Sequence, residues 1–586
     1  FRKHSIFENN IVQTAASAGE SLAAGVIFTL PALVIMGSWT QFDYLWVTLI
    51  AGFGGLLGVL FTIPLRRALI IESDLKFPEG IATAEVLRSG QRGGSEIRYL
   101  VKSALAGALY KLGSGGLRIW PEVAETAGRF GNVVVYAGSN LSPALLAVGY
   151  IVGINVAVLM LAGGMVNWLV AIPAIAVSQP WPMVDGEPMA AMDYAWTLWS
   201  AKTRYLGVGG MMVGGLWTIF KMRGSLFAGI RSGLKAYQNL GQGETLDRTE
   251  KDIPMKWVLI LIVASVVPLF LLYQTFVKEI GVALPMALTM LIAGFLFSAV
   301  AGYMAGLVGS SNNPISGVTI ATVTISALLL LLLMGRNAEN GPSAAIIIGA
   351  VVCCAAAIAG DNMQDLKAGY LIKATPWKQQ VMQMVGTLSA ALVLAPVLML
   401  LLNAYGFAGH ESAKANPLIA AQANLMAAVA KGVFEGGLPW RFVGIGALLA
   451  AGVIVLDEIL AHRGASFRMP VLAVMIGIYL PLELEVPIFI GGLLCVVIKR
   501  MQRKKQLRSD AVESANRGGL LFASGLITGE ALAGILLAIP IVATGNADIL
   551  AIFKEPTAIG LFAGSLLLGF IALWLLKVAT VNKKVP

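Results

Sequence analysis

Long runs of apolar residues recur along the chain from residue 25 to residue 576, and only short polar gaps separate them. Segments such as 258–272 and 327–334 are apolar on every face, whereas a membrane-spanning strand alternates apolar and polar residues. A helix crosses a hydrocarbon core about 30 Å thick with roughly 20 apolar residues. The pattern therefore predicts an all-α polytopic membrane protein with broken or re-entrant segments.

These runs fit about sixteen transmembrane helices. Their predicted spans are residues 19–38, 43–64, 100–113, 142–162, 165–178, 205–222, 257–277, 281–308, 316–334, 344–360, 381–402, 441–460, 469–481, 486–498, 518–543 and 557–577. Residues 223–256 form a predicted cytoplasmic loop and residues 403–440 a predicted extracytoplasmic loop. Neither loop is long enough for an ordinary separate domain, so we expect one transmembrane domain over residues 1–586.

The amino-acid composition also indicates that this chain is embedded in a membrane. Of its 586 residues, 57% are hydrophobic and 13% are charged, whereas a soluble chain has about a quarter charged residues. Lysine and arginine lie mainly in the gaps between apolar runs, so the net charge of +10 indicates topology rather than nucleic acid binding. If the number of spans is even and both termini are in the cytoplasm, these basic gaps lie on the cytoplasmic side of the membrane. We therefore expect a multi-pass protein of a bacterial inner membrane.

Residues 179–204 form a predicted outer connection that is rich in large aromatic side chains. Trp181, Tyr194, Trp196 and Trp199 are typical of the aromatic belt that anchors a protein at the membrane interface.

Motifs for soluble chemistry are absent from the sequence. It contains no phosphate-binding G-x-x-x-x-G-K-[ST] loop, no H-E-x-x-H pair among its three histidines and no G-x-S-x-G nucleophile motif. The three cysteines lie inside apolar runs and form no disulfide or thiolate pattern. We therefore expect neither an enzyme nor a cofactor or a metal site.

Polar residues at membrane depth are functional candidates because their burial in lipid is costly. In segment 309–317, Pro314 and two glycines predict a broken helix, where Asn312 and Asn313 could bind a polar substrate. A capped loop at the membrane surface is the alternative interpretation.

Segment 360–370 places Asp361, Gln364 and Asp365 close together and ends at Tyr370. Neighbouring carboxylates can share and shift a proton, although a helix cap with cytoplasmic ion pairs would also explain them. In segment 71–80, Glu79 begins a short helix, where a carboxylate is also stabilised without any function.

Glu483 and Glu485 lie between two short apolar segments that prolines interrupt, and Glu530 follows in the next long span. Such segments are typical of a transporter's binding site near the membrane midplane. An outer loop explains the first two residues equally well but explains Glu530 poorly. The sequence Gly-Glu-Ser-Leu-Ala at 19–23 is similar to Gly-Glu-Ala-Leu-Ala at 529–533, which suggests an internal repeat.

Four segments together resemble the oligopeptide transporter (OPT) superfamily. They are Asp-Leu-Lys-Phe-Pro-Glu-Gly-Ile-Ala-Thr-Ala at 74–84, Asn-Asn-Pro at 312–314, Asp-Asn-Met-Gln-Asp-Leu-Lys-Ala-Gly-Tyr at 361–370 and Ala-Ser-Gly-Leu-Ile-Thr-Gly-Glu at 523–530. The first and third patterns are closer to the Yellow Stripe-Like branch and its prokaryotic relatives. The Lys-Ile-Pro-Pro-Arg motif of the peptide branch is not visible.

The resemblance implies an OPT-type fold of about sixteen helices and a proton-coupled symporter. Its cargo would be short peptides or peptide-like molecules or, as the alternative, metal chelates with siderophore-like or nicotianamine-like ligands. We assign substrate binding to Asn312, Asn313, Gln364, Tyr370 and Glu79. We assign proton coupling to a second set of residues, Asp361, Asp365, Glu530 and Glu483.

Expected partners are the substrate, protons and membrane lipids, and glycine spacing leaves a homodimer open. An enzyme acting on a lipid-linked substrate and a passive channel remain as interpretations from other classes.

Overall fold

Helices dominate the computed structural model, which describes residues 5–73, 75–90, 97–184, 186–221, 247–310, 313, 315–336, 338, 340–408, 410–414, 417–418, 420–435, 439–506, 508–546, 548–553 and 557–580. The helices are α1 (Ile6–Ile27), α2 (Pro31–Ile35), α3 (Tyr44–Arg66), α4 (Pro78–Gly90), α5 (Ile97–Lys111), α6 (Pro143–Val152), α7 (Ile154–Met165), α8 (Ile172–Val177), α9 (Ala191–Leu198), α10 (Arg204–Lys221), α11 (Met255–Val277), α12 (Ile280–Val308), α13 (Ile315–Met334), α14 (Gly341–Leu371), α15 (Pro376–Tyr405), α16 (Ala421–Glu435), α17 (Trp440–His462), α18 (Val471–Tyr479), α19 (Leu482–Lys504), α20 (Ser509–Thr544) and α21 (Ala558–Thr580). The strands are β1 (Val123–Phe130), β2 (Val133–Asn140), β3 (Met183–Val184) and β4 (Glu187–Pro188).

Eleven helical segments in the described part of the chain are long and apolar enough to cross a membrane. They are Ile6–Ile35, Tyr44–Ile71, Ile154–Val177, Met255–Val277, Ile280–Gly306, Ile315–Met334, Gly341–Leu371, Pro376–Tyr405, Trp440–His462, Ala511–Thr544 and Ala558–Thr580. Other predicted spans fall on the shorter helices α5, α6, α10 and α18 or on α19, which has charged residues at both ends. The multi-pass helical class is confirmed, and the count of about sixteen stays a prediction.

Helix α14 is the centre of the bundle. Its most apolar stretch is buried throughout, and α1, α3, α12 and α13 pack around it. Small residues allow this approach: a Cβ atom on Gly58 of α3 would lie 2.5 Å from the carbonyl oxygen of Ala355, and one on Gly25 of α1 would lie 2.6 Å from Cα of Cys354. Close contact between small residues is the usual way in which membrane helices associate.

The break between the fourth and fifth predicted spans is displaced from its predicted place. Residues 142–162 and 165–178 were expected to be separate helices, but α6 ends at Gly153, whose φ of +86° only glycine adopts readily. The chain stays helical through Gly163 and Gly164, and both pack closely against a neighbour. A Cβ atom on Gly163 would lie 2.2 Å from the carbonyl oxygen of Val474.

Two β-hairpins interrupt the predominantly helical architecture, the longer one between α5 and α6. Strands β1 and β2 form an antiparallel hairpin, with Val123 opposite Asn140, and a second, two-residue hairpin pairs β3 with β4. The long hairpin covers an aromatic cluster in which Trp168, Trp199 and Tyr194 are at most 5% exposed. The predicted interfacial belt at 179–204 is therefore wrong for its buried members, which pack against protein.

The predicted loop 403–440 contains α16, whose buried residues pack against α13 and α14. Of the predicted loop 223–256, residues 223–246 lie outside the described residues. The segment that follows is held to the bundle, since the buried side chain of Arg66 donates from Nε to Oδ1 of Asp252 over 2.6 Å and from Nη2 to Oδ2 over 2.8 Å.

Candidate transport site

Side-chain hydrogen bonds join α1 to α14, and both helices lie in candidate membrane spans. Gln13 Nε2 donates to Oδ1 of Asp365 over 2.6 Å, and the Ser21 hydroxyl donates to Oδ2 of Asp361. The aspartates are four residues apart and share one face of α14. Their partners are eight residues apart in the opposite order, so the two helices run antiparallel. We call Gln13, Ser21, Asp361 and Asp365 the polar seam.

Helix α1 starts at a well-defined position. The hydroxyl of Ser5 accepts from the backbone N–H of Glu8, and the Glu8 carboxylate accepts from the backbone N–H of Ser5, which completes a capping box. This start sets the register that places Gln13 and Ser21 on the face towards α14.

The carboxylates of the polar seam form no ion pair among the described residues. Asp365 is only 2% exposed, and its Oδ2 has no hydrogen bond partner in that part of the chain. A buried carboxylate without a cation is costly. A bound proton would remove this cost, so the polar seam is suited to hold a proton.

The predicted helix break lies beside the polar seam, between α12 and α13. Carbonyl groups near the end of α12 accept bonds from two side chains: Asn313 Nδ2 donates to Ala301 over 3.1 Å, and Gln364 Nε2 donates to Ala305 over 2.6 Å. Ala305 lies in the last turn of α12, where its carbonyl oxygen also accepts from the backbone N–H of Gly309 over 3.0 Å, and Ala301 lies one turn earlier. Asn313 also packs against Gly360, next to Asp361.

The start of α4 meets this helix break. Glu79 Oε2 accepts from the backbone N–H of Ser310 over 2.9 Å and from its hydroxyl, and the backbone N–H of Gly80 donates to Oε1 of Gln364 over 2.7 Å. Glu79 also lies within electrostatic reach of Asp361. The structure thus gathers Glu79, Asn313 and Gln364 beside the seam, where their polar groups connect helix ends.

Two predicted substrate-binding residues are not in this group. Asn312 lies outside the described residues, as does Asp74 of the segment 74–84. Tyr370 is 40% exposed and lies nine residues after Asp361 on α14, which is about 14 Å along a helix. Its ring is 5.7 Å from Nζ of Lys367.

Glu530 belongs to a different cluster, at the start of α6. The Ser142 hydroxyl donates to its Oε1 over 2.7 Å, and the backbone N–H of Ala144 donates to its Oε2 over 2.8 Å. Lys111, which pairs with Glu122 at 2.5 Å, is also within electrostatic reach. Backbone donors at a helix start and a nearby cation both stabilise a charged carboxylate, unlike the surroundings of the polar seam.

Glu483 lies under the long hairpin, in a third cluster. The Tyr136 oxygen is 2.8 Å from Oε2 of Glu125 and 3.0 Å from Oε2 of Glu483. Burial, the negative charge of Glu483 and the hydrogen bond to Glu125 raise the pKa of Tyr136, so the phenol keeps its proton. A phenol donates one hydrogen, so both contacts are hydrogen bonds only when one carboxyl group also carries a proton. We call Glu125, Tyr136 and Glu483 the hairpin cluster.

A model of the family described as OPT oligopeptide transporter protein matches residues 1–541 of this chain. The chain belongs to the OPT family. A protein of Haemophilus influenzae named "Putative oligopeptide transporter" is 35% identical over 567 residues, which cover 93% of this chain and 88% of that protein. The OPT protein described here is therefore a multi-pass membrane transporter and not an enzyme.

Glu20 of this OPT transporter is a polar residue to which the sequence motifs assigned no role. It lies near the middle of the span Ile6–Ile35, and its side chain is exposed. It makes no hydrogen bond or ion pair with any described residue, yet it is within electrostatic reach of Asp361 and Asp365. The Gly-Glu pair shared by residues 19–23 and 529–533 was the available signal, because it relates Glu20 to Glu530.

Metal ligands do not cluster in this OPT transporter: the described residues contain no group of three or more His, Cys, Asp or Glu side chains that could hold an ion.

Proposed function

We propose that this OPT protein is a proton-coupled symporter that imports short peptides or peptide-like zwitterions across a bacterial inner membrane. The observation that carries the proposal is the polar seam, in which two carboxylates that pair with no described cation lie between two membrane-spanning helices. The name of the Haemophilus relative supports peptides as the cargo.

Proton binding at the polar seam would couple to movement of α1 against α14. When Asp361 and Asp365 are ionised, their charges repel each other and favour access to water. When one proton is bound, the pair can be enclosed between apolar helices at lower cost. Ionisation of the aspartates therefore favours an open seam, and binding of a proton favours a closed seam.

The helix break beside the polar seam supports a substrate site there. Backbone groups freed inside a membrane protein are tolerated where protein or a watery cavity satisfies them. Asn313 Oδ1 is buried without a hydrogen bond partner among the described residues, so it is available as an acceptor for a peptide N–H. Gln364 and Glu79 hold the surrounding helix ends in place.

The driving force is sufficient for accumulation. One positive charge that moves inward through 100 mV contributes about 2.3 kcal/mol, and a pH difference adds to this. The basic gaps between spans support cytoplasmic termini.

Uptake into vesicles of purified protein tests the proposal. A labelled tripeptide and glutathione are offered with an inward proton gradient and with the gradient collapsed, to the wild type, Asp361→Asn and Asp365→Asn. We expect gradient-dependent accumulation by the wild type and its loss in both variants, while Asp193→Asn, on the exposed start of α9, accumulates normally. Equal accumulation with the proton gradient imposed and with it collapsed would refute symport. Uptake of a metal chelate without uptake of peptide would refute the proposed cargo.

A further inference from the structure

An open cleft lies between α11 and α15, at the end of the bundle where both helices begin. It has a volume of about 610 Å³ and is lined by one face of each helix. Trp257 and Leu261 form the lining on α11, and Trp377, Val381 and Met384 form the lining on α15, both at helical spacing. Both helices pack against α3, whose buried apolar residues contact Leu261 and Met384. We call this space the α11–α15 cleft.

The surface around the α11–α15 cleft faces lipid. Trp257 and Ile260 on α11 and Val381, Val385 and Leu388 on α15 are between 38% and 57% exposed. Both helices are candidate membrane spans, so hydrocarbon chains rather than water cover these apolar side chains. A molecule that fills the cleft therefore comes from the membrane.

Two tryptophans mark the depth of the α11–α15 cleft in the membrane. Trp257 and Trp377 lie in the first turns of α11 and α15. Tryptophan is enriched where the hydrocarbon meets the headgroups, because its ring is apolar and its N–H is polar. This end of the cleft therefore lies at the headgroup level, and the rest lies among the acyl chains.

Three lysines surround the tryptophan end of the cleft. Lys251 lines the cleft, Lys256 lies in the first turn of α11, and Nζ of Lys378 is 5.8 Å from the ring centre of Trp377. All three lysines are exposed, and none forms an ion pair with a described residue. Basic side chains at this depth attract anionic lipid headgroups.

Acidic residues do not cancel this positive charge. Asp252 also lines the cleft, but Arg66 neutralises it through hydrogen bonds of 2.6 and 2.8 Å. Segments 247–256 and 376–384 together with Arg66 contain five basic and three acidic residues. The positive ends of α11 and α15 lie here as well, and neither helix start is capped by a side chain. The end of the cleft is thus complementary to a negative charge.

We propose that the α11–α15 cleft binds a phospholipid with an anionic headgroup. One acyl chain lies between the apolar faces of α11 and α15, and the phosphate lies at Lys251 and Lys378, beside the two tryptophans. The bound lipid joins α11 to α15 and so stabilises this side of the bundle. The inference is independent of the proposed cargo and of proton coupling.

Native mass spectrometry of the purified, delipidated protein in neutral detergent tests the site. The probes are dioleoyl-phosphatidylglycerol and dioleoyl-phosphatidylcholine, which share their acyl chains and differ in net charge, and glycerol phosphate, which has no acyl chain. Lys251→Gln combined with Lys378→Gln removes charge from the cleft, and Val381→Phe fills it. Lys102→Gln combined with Lys577→Gln is the matched control, because both lysines are exposed and lie outside the cleft.

We expect the wild type to bind phosphatidylglycerol roughly 10- to 30-fold more tightly than phosphatidylcholine. The cleft double-lysine variant should lose this preference, Val381→Phe should weaken the binding of both lipids, and the control double variant should match the wild type. Glycerol phosphate should not compete. Phosphatidylglycerol should also raise the melting temperature of the wild type but not that of the cleft variant, and melting without lipid shows that each variant is folded.

Four results would overturn the proposal. The first is an equal lipid preference in the wild type and in the cleft double-lysine variant. The second is unchanged affinity in Val381→Phe, which would exclude the acyl chain from the cleft. The third is an equal loss of preference in the control double variant, which would show that overall surface charge attracts the lipid. The fourth is competition by glycerol phosphate, which would indicate a site for soluble phosphate.

Discussion

The polar seam and the hairpin cluster each combine two carboxyl groups with side-chain hydrogen bond donors, but the donors are arranged differently. In the seam, Asp361 and Asp365 have separate donors on α1, namely Ser21 and Gln13. In the hairpin cluster, Tyr136 alone lies between Glu125 and Glu483. The number of available hydrogens therefore differs between the two regions.

This difference separates two uses of a proton. The hydrogen bonds of the seam persist whether or not a proton is bound, so a proton can enter and leave without breaking them. The hairpin cluster needs an extra proton to complete both bonds at Tyr136, so the proton is part of the local structure. We infer that the seam exchanges protons and that the hairpin cluster keeps one.

The largest expected effect compares Asp365→Asn with Glu483→Gln. Asp365→Asn should lower the accumulation ratio of a tripeptide by up to about 50-fold, which is the factor that one charge moved through 100 mV supplies. Glu483→Gln should accumulate normally, because its amide N–H replaces the carboxyl hydrogen beside Tyr136. The measurement is steady-state uptake with an imposed gradient, and normal accumulation by Asp365→Asn with loss in Glu483→Gln would reverse our assignment.

The next effect concerns stability and compares two tyrosines of the same aromatic region. Tyr136→Phe leaves Glu125 and Glu483 facing each other without the phenol and should cost about 1–3 kcal/mol of unfolding free energy. Tyr194→Phe should be nearly neutral, since the buried Tyr194 hydroxyl has no hydrogen bond partner among the described residues.

Thermal unfolding of both variants in detergent, monitored by fluorescence, measures this contrast. Glu125→Gln combined with Tyr136→Phe should recover part of the loss, because it removes one of the facing carboxyl groups. Equal melting temperatures for the two Phe variants would show that the phenol does not hold the hairpin.

The smallest effect concerns Ser21, the donor to Asp361. Ser21→Ala removes one hydrogen bond of about 1 kcal/mol that favours the ionised carboxylate, so the pH profile of uptake should move by roughly half to one unit towards higher pH. The maximal rate should change only a few-fold. An unchanged profile would indicate that Asp361 is not the group whose protonation limits uptake.

Sequence patterns located much of the site because they reflect local chemistry. Pro314 and its glycines predicted the break between α12 and α13, and the four-residue spacing of Asp361 and Asp365 places both on one helical face. The roles of Asn313 and Gln364 could not be predicted in the same way. Their amides bond to Ala301 and Ala305, and only the packed helices bring these groups together.

Further differences between the sequence-based predictions and the structure also arise from tertiary contacts. Gly153 and Gly163 are the same residue type, but Gly153 ends a helix with a φ of +86°, whereas Gly163 lies inside a helix and packs against Val474. Tyr194 and Trp199 are residue types that fit an interfacial belt. In the structure a β-hairpin covers them, and the apolar pattern of the sequence did not predict that hairpin. Glu20 and Glu530 share a sequence motif, but their surroundings differ. Glu20 is exposed and pairs with no described residue, whereas Glu530 accepts hydrogen bonds at a helix start.

The sequence patterns indicated a membrane protein, a helix break near Pro314 and the family that the chain resembles. These properties depend on hydrophobicity, on proline and glycine, and on short motifs, all of which act over a few residues. The tertiary structure determines which carboxylates accept hydrogen bonds, which lie near a cationic side chain and which have neither kind of partner. That outcome depends on contacts between residues hundreds of positions apart, such as Gln13 with Asp365, and electrostatic free energy depends on those neighbours rather than on the residue type.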